Sequence, residues 1–107
     1  MPKPAALRER ARRDIDEAIE HYLTEAGAKI ANQFTDTLQA TIQSVSSQPK
    51  AGSPRYAHEL DMVGLRCRKV GKFPYLIFYV ERNTEIDVWR VLHGARDIPR
   101  WLRESDE

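Results

Sequence analysis

The first half of the chain spaces its apolar residues in the three- and four-residue steps of amphipathic helices. Within residues 9–25 this stripe consists of Ala11, Ile15, Ala18, Ile19, Tyr22 and Leu23. A second stripe follows at Ile30, Ala31, Phe34, Leu38, Ile42 and Val45. Gly27 lies between the two stripes, and glycine readily adopts the left-handed conformation that commonly ends a helix. Because helices joined by so short a turn must pack antiparallel, the pattern predicts a helix hairpin over about residues 9–47.

The spacing changes after the second stripe. Residues 46–56 contain two prolines, a glycine and three serines, which favours a loop that we place at residues 48–63. From residue 64 to residue 93 apolar and polar residues alternate, as in half-buried strands. Turn-like segments at 71–74 and 81–84 divide this region into three strands, and such short connections predict an antiparallel meander. Residues 75–80 are apolar on both faces, so we expect them to form a central strand.

The two ends of the chain complete the predicted fold. A short strand near residues 3–7 is compatible with the sequence, although Pro2 and Pro4 limit its hydrogen bonding. Residues 97–103 predict a last short helix with Asp97 as its N-terminal cap. The stripe of the hairpin and the apolar face of the sheet can cover each other. The sequence therefore predicts a single α+β domain of two layers over residues 1–107, a helix hairpin packed on an antiparallel sheet.

Composition is that of an ordinary globular domain. The 107 residues are 41% hydrophobic and 31% charged, with a formal net charge of +1, which is too even to predict direct nucleic-acid binding. The single cysteine, Cys67, cannot form an internal disulfide, which is typical of a reducing cytosol. The longest nearly continuous apolar stretch, residues 75–80, is far shorter than the roughly 18 residues of a membrane span. We therefore expect a cytoplasmic protein that is neither exported nor inserted into a membrane.

The acidic residues of the first predicted helix are the first candidates for chemistry. Asp14, Asp16, Glu17 and Glu20 include pairs that share a helix face and could act as acid and base. We interpret them instead as a solvated face that complements the helix dipole. The three histidines lie in separate segments, and the chain has no Cys/His ligand spacing, glycine-rich phosphate loop or nucleophile motif. The sequence therefore predicts no metal site, no cofactor and no catalytic residue.

Arginines mark two further candidate surfaces. Arg66 and Arg68 alternate with apolar residues and so share one face of their strand, and we expect Arg90 to join them from a nearby strand. Such a cluster can hold a carboxylate or a phosphate in bidentate geometry, or it can simply be the exposed side of a half-buried strand. In residues 91–97 a strand ends at a glycine turn, after which Arg96 and Asp97 open the final segment; a plain turn before a capped helix would look the same.

In their order and spacing, these segments resemble the ParE branch of the RelE/ParE toxin superfamily over nearly the whole chain. Residues 48–52 are similar to the break between helix and sheet in that family, although its phenylalanine is absent. The other segments that carry the resemblance are residues 12–23, the helix with Phe34 and Leu38, and residues 65–68, 75–79 and 91–97. The resemblance implies the order β-α-α-β-β-β followed by a short C-terminal helix, in agreement with the pattern above.

The resemblance also implies a function. ParE-like proteins are toxins of type II toxin–antitoxin systems, as in plasmid stabilisation, that inhibit DNA gyrase by binding it and are neutralised by a ParD-like antitoxin encoded beside them. The flexible part of such an antitoxin becomes ordered as it wraps the toxin. Our candidates for target interaction are Arg96, His93, Asp97 and Trp101. Our candidates for antitoxin binding are Arg66, Arg68, Arg90, Tyr22 and Glu20.

The RelE branch of the superfamily implies a different activity, cleavage of messenger RNA on the ribosome. Those nucleases place an arginine after the tyrosine of the central strand, where this chain has Leu76. Their C-terminal tyrosine is missing here, and Trp101 lies in the corresponding region. Arg96 does stand where a second arginine is expected. Cleavage needs an acid, a base and charge stabilisation around one phosphate, and arginine hardly ever releases its proton. We therefore expect a non-catalytic inhibitor, with a ribosome-dependent endoribonuclease and a non-toxic binding module as the alternatives.

Overall fold

The computed structural model of the protein describes residues 2–105. Its order of elements is the predicted one, with a short strand before the hairpin and a short helix after the meander. The elements are β1 (Ala5–Leu7), α1 (Glu9–Ala26), α2 (Ala28–Ser47), a 3-10 turn (Pro49–Ala51), α3 (Arg55–Leu60), β2 (Leu65–Lys69), β3 (Tyr75–Glu81), β4 (Ile86–His93) and α4 (Ile98–Ser105). Among residues 2–105, none of the helices has both the length and the apolar character that crossing a bilayer requires.

The helix hairpin forms where the two apolar stripes predict it. Gly27 separates the helices with a φ of 93°, a conformation that favours glycine, and its N–H donates to the Tyr22 carbonyl oxygen at 2.9 Å. The buried residues of the α1 stripe are the alanines Ala11 and Ala18, and those of the α2 stripe are Ala31, Phe34, Leu38 and Val45. The hairpin thereby buries one continuous face against the sheet.

The sheet has the strand order β1-β4-β3-β2, with β3 and β4 at its centre. The meander is antiparallel as predicted, but β1 lies parallel to β4, so the sheet as a whole is mixed and not antiparallel. The Ile86 N–H donates to the Pro4 carbonyl oxygen at 2.9 Å, and the Arg8 N–H donates to the Val88 carbonyl oxygen at 3.0 Å. Pro4 tolerates this position because it contributes only its carbonyl, which a proline retains.

The segment predicted as a loop at residues 48–63 is partly helical, so that prediction is wrong in part. It contains the 3-10 turn and α3, and each is opened by a proline, Pro49 at the first turn and Pro54 at the N-cap. Proline is well tolerated at the start of a helix because the N–H it lacks would have no helical partner there. The prolines that we took as helix breakers therefore begin two short helices.

Both faces of the sheet are covered, which explains why β3 is apolar on both sides. The hairpin packs on the face that carries Ile77, Tyr79 and Val91, which we call the hairpin face. On the opposite face, α3 and α4 cover a second cluster with Leu60, Ile98 and Leu102 packed on the side chains Phe78, Trp89 and Leu92. The alternation along β4 is interrupted because the pairing with β3 shifts between Phe78 and Tyr79. This bulge leaves residues 88–92 of β4 buried without a gap.

The Asp87 carboxylate on β4 accepts several side-chain hydrogen bonds near the N-terminal end of α1. It accepts two bonds from Arg8 at 3.0 Å, one from Arg82 at 3.2 Å and one from the Trp89 indole at 3.1 Å. Burial alone raises the pKa of Asp87, but the bonds from Arg8, Arg82 and Trp89 outweigh this and hold the pKa below its ordinary value. The ionised carboxylate therefore stabilises the folded protein.

This lowered pKa predicts a pH-dependent contribution to stability. The contribution of Asp87 should be present above the unfolded pKa of about 3.9 and should be lost as the pH falls through the lower, folded pKa. Urea unfolding of the wild type and of Asp87→Asn, followed from about pH 6 to about pH 2, measures it. We expect the gap in unfolding free energy between them to narrow on acidification. A gap that stays constant over this range would contradict the assignment.

Candidate functional site

A buried ion pair connects α1 to β4 and organises the candidate site. Arg90 donates from Nε and Nη2 to the two carboxylate oxygens of Asp14 at 2.7 and 2.8 Å, and the Val91 N–H donates to the same carboxylate at 3.0 Å. The side chains of Arg90 and Asp14 are only 4% and 9% exposed. The interpretation of Asp14 as part of a solvated acidic face is therefore wrong. The Arg90 side chain thus reaches from β4 to α1, where Asp14 neutralises its charge.

Trp101 on α4 joins this ion pair to the turn that precedes the helix. The Arg90 guanidinium lies 5.3 Å from the centre of the Trp101 ring, and the Arg96 guanidinium lies 4.2 Å from it. Such cation–π contacts stabilise the charged guanidinium groups against the face of the indole ring. The Asp97 carboxylate accepts from the Arg100 N–H at 3.4 Å and so caps α4, as predicted. Arg96 itself is exposed to solvent but held in place.

A cleft of about 370 Å³ opens between α1 and the paired ends of β3 and β4, and we call it the Arg96 cleft. Its walls carry charged and polar groups from four separate parts of the chain. The side chains that give it its chemistry are Asp14, Glu17, His21, Tyr75, His93 and Arg96. A smaller hollow that also borders Asp14 and Glu17 continues from it towards Trp101.

The cleft presents hydrogen-bond donors from its inner wall. The Ala95 N–H donates to Nδ1 of His93 at 3.0 Å, so a neutral His93 carries its proton on Nε2. The Tyr75 ring packs edge-on against His93, with ring centres 5.2 Å apart. Burial raises the pKa of Tyr75; the Arg96 guanidinium opposes this shift and the Glu17 carboxylate adds to it. The Tyr75 hydroxyl thus stays protonated at neutral pH and can donate a hydrogen bond, but it cannot serve as a base.

The structure brings together some of the residues that the sequence suggested for target interaction. His93 and Arg96 line the cleft, and Trp101 adjoins it through Arg96. The role found for Asp97 is the cap of α4. The sequence interpretation missed that Glu17, His21 and Tyr75 share this cleft. For the α1 residues the signal was present, since Asp14, Glu17 and His21 recur at three- and four-residue steps beside the apolar stripe.

The antitoxin-binding candidates are dispersed in the structure. Arg66 and Arg68 pair with Tyr79 and Ile77 across β3, and so lie on the hairpin face. The prediction that Arg90 joins them is wrong, because Arg90 is in register with Phe78 on the opposite face before it turns to Asp14. Glu20 and Tyr22 lie on α1, and among the strands α1 packs mainly against β4. Glu20 is exposed, whereas Tyr22 is half-buried among aromatic rings.

The histidines show no arrangement for metal binding. Of the residues the structure describes, no group of three or more His, Cys, Asp or Glu side chains is placed to hold a metal ion. His21 and His93 both line the Arg96 cleft, whereas His58 lies on α3 near a separate hollow.

A helix hairpin packed on a meander, with an arginine-bearing turn and a short C-terminal helix, is the architecture of ParE-type toxin domains. The family model described as ParE toxin of type II toxin–antitoxin system, parDE, matches residues 6–98, and the chain belongs to this family. Among solved structures, the chain is similar to one described as the chromosomal ParDE TA system from P. aeruginosa, with 16% identity and a TM-score of 0.71. That match covers 85% of this chain and 95% of the other. Comparison with curated proteins gives no significant match.

Proposed function

We propose that this chain is the toxin of a type II toxin–antitoxin pair that acts by binding DNA gyrase and is neutralised by a ParD-like antitoxin. The observation that carries the proposal is the family match over residues 6–98. The structural likeness to a chain from a ParDE system supports the same fold. Inhibition by binding requires a rigid, chemically distinctive surface on the toxin, and the Arg96 cleft is our candidate for it.

The composition of the Arg96 cleft suits recognition of a protein surface. Arginine, tryptophan and tyrosine dominate the energetic centres of protein interfaces. Here Arg96 stacks on Trp101 and shares the cleft with Tyr75. Because Arg96 is already stacked on Trp101, less side-chain freedom is lost when a partner binds. The partner groups that match the guanidinium and the Tyr75 hydroxyl are carboxylates and carbonyl oxygens on the surface of gyrase.

A ribosome-dependent endoribonuclease is the second candidate, because of one specific observation. His21, His93 and Glu17 line the same cleft as Arg96, and imidazole and carboxylate groups can move protons at neutral pH. Against it, Tyr75 stays protonated and Leu76 stands where the nucleases have an arginine. Primer extension on translated messages distinguishes the two, since only the nuclease produces new cuts linked to codons.

A supercoiling assay with purified gyrase tests the leading proposal. We expect the wild-type chain to inhibit supercoiling, and we expect Arg96→Ala to weaken inhibition by about 10-fold to 100-fold, the loss typical of an arginine at the centre of an interface. The folded state should be little affected, since Arg96 is exposed. The matched control is Arg103→Ala, which removes the same charge from the exposed part of α4.

Unaltered supercoiling at high concentrations of the wild-type chain would contradict gyrase as the target. Equal losses in Arg96→Ala and Arg103→Ala would instead show that general positive charge, and not the cleft, is responsible. Growth after induction without antitoxin completes the comparison. Arrest is expected for a toxin, whereas unimpaired growth would indicate a binding module of the same fold that has lost its toxicity.

A further inference from the structure

Two side chains of opposite charge line the Arg96 cleft without forming an ion pair with each other. Glu17 lies on α1, and Arg96 lies in the turn that follows β4. Among residues 2–105, neither side chain takes part in a salt bridge with any other residue. Both are exposed, so the groups of a partner protein can reach them.

The tyrosine of the cleft shows that the two charges lie near the same point. Burial raises the pKa of Tyr75, the Arg96 guanidinium lowers it, and the Glu17 carboxylate raises it further. Because the effect of one charge on another group falls off with distance, both side chains lie close to the Tyr75 hydroxyl. The cleft therefore contains a gap that is bounded by a cation, an anion and a tyrosine.

Each of the two charges is left over after the chain has formed its own contacts. The Arg96 guanidinium lies 4.2 Å from the centre of the Trp101 ring, on which it stacks. Arg13 is four residues before Glu17 on α1 and could have paired with it, but it pairs with Glu9 at 2.8 Å. The described chain therefore neutralises neither charge, and both remain available to a partner.

We propose that the partner segment bound in the Arg96 cleft carries an acidic and a basic side chain, the acid bound by Arg96 and the base by Glu17. Glu17 is then a specificity-determining residue of the toxin. The inference rests on the proposed function, because it names the chemistry by which the cleft recognises its protein target. A carboxylate accepts charge-assisted bonds from Arg96, and a lysine or arginine of the partner donates them to Glu17. Complementary charges of both signs fix the orientation of a partner and exclude wrong ones.

The charges of the cleft disfavour partners of a single sign. A purely acidic segment or a nucleic-acid backbone would bring negative charge against Glu17. A purely basic segment would face Arg96, and Arg10 and Arg13 line the hollow that continues from the cleft. Because like charges that meet in an interface oppose binding, a segment with both signs fits this surface best.

The test uses the full chain and three fluorescent peptides of equal length, each titrated by anisotropy. The mixed peptide alternates glutamate and lysine. The acid-only peptide has glutamine in place of every lysine, and the base-only peptide has glutamine in place of every glutamate. We expect the wild type to bind the mixed peptide about fivefold more tightly than either of the others, as for one additional exposed ion pair.

Glu17→Gln gives the sharpest readout, because its expected effects have opposite signs. It should weaken binding of the mixed peptide by about fivefold, since the lysine loses its partner. It should strengthen binding of the acid-only peptide, since a repulsion is removed. A residue that served only the fold would weaken both.

Two further variants serve as controls. Asp16→Asn removes the same charge from an exposed position of α1 that does not line the cleft, and should change either affinity by less than about twofold. Arg96→Ala should weaken the mixed and the acid-only peptides by about 10-fold and should not weaken the base-only peptide. All these variants should melt at the temperature of the wild type, since the three side chains are exposed.

The inference is overturned if the wild type binds the acid-only peptide as tightly as the mixed one, or binds none of the three. Equal effects of Glu17→Gln and Asp16→Asn would also overturn it, because they would reduce the role of Glu17 to general charge. Failure to inhibit gyrase with the peptide preference intact removes only gyrase as the target. Inhibition of gyrase without any peptide preference removes only the recognition of mixed charge.

Discussion

Replacing Asp14 by alanine should lower the free energy of unfolding by about 3–5 kcal/mol, a large part of the roughly 5–15 kcal/mol typical of a domain. Asp14 supplies three acceptor contacts at 2.7, 2.8 and 3.0 Å, and its removal leaves the Arg90 guanidinium charged and 4% exposed. The Val91 N–H loses its partner at the same time. A buried charge without a counter-ion is among the most destabilising consequences of a single substitution.

Urea unfolding measures this loss, and two further variants isolate its cause. Asp16→Ala removes an exposed carboxylate from the same helix and should change stability by less than about 0.5 kcal/mol. The double variant Asp14→Leu with Arg90→Met removes both charges and should recover much of the stability, since apolar groups of similar size tolerate burial. If the double variant is no more stable than Asp14→Ala, the effect does not come from the uncompensated charge.

Much of the fold could be predicted because it follows from two periodicities. The apolar stripes, which include Phe34 and Val45, determine the hairpin. The segment of β3 that is apolar on both faces determines the centre of the sheet. Parallel pairing of β1 with β4 could not be predicted, since it depends on bonds between residues such as Pro4 and Ile86, which are far apart in sequence. The short helix α3 was missed because its prolines were interpreted as breaks and not as starts.

The candidate site was less predictable than the fold for a physical reason. A β-bulge shifts the face of every residue beyond it, so the alternation that seemed to group Arg90 with Arg66 and Arg68 does not hold across Trp89. The sequence also cannot show that Asp14 finds its partner 76 residues away. The sequence of residues 91–97 predicted its structure better, because a strand end, a turn and a capped helix all depend on residues that are close together in the chain.

Phe34→Ala should lower the free energy of unfolding by about 3–5 kcal/mol, the range found for deletion of a buried aromatic ring. Phe34 is fully buried, and its ring centre lies 5.2 or 5.3 Å from those of Tyr22, Phe73 and Tyr75. These contacts connect both helices of the hairpin to the sheet, and each aromatic pair adds about 0.5–1.5 kcal/mol beyond the area it buries. The loss is measured by urea unfolding, with Leu23→Ala, at a side chain 50% exposed, as the control.

The same substitution should also disturb the Arg96 cleft, although Phe34 does not line it. Tyr75 packs against Phe34 on one side and against His93 on the other, with ring centres 5.3 and 5.2 Å apart, so the ring that supports the cleft depends on the core. We expect weaker gyrase inhibition even at temperatures where Phe34→Ala is still folded by far-ultraviolet circular dichroism. Inhibition equal to the wild type in that folded population would show that the cleft is positioned by Asp14 and Arg90 without help from the aromatic cluster.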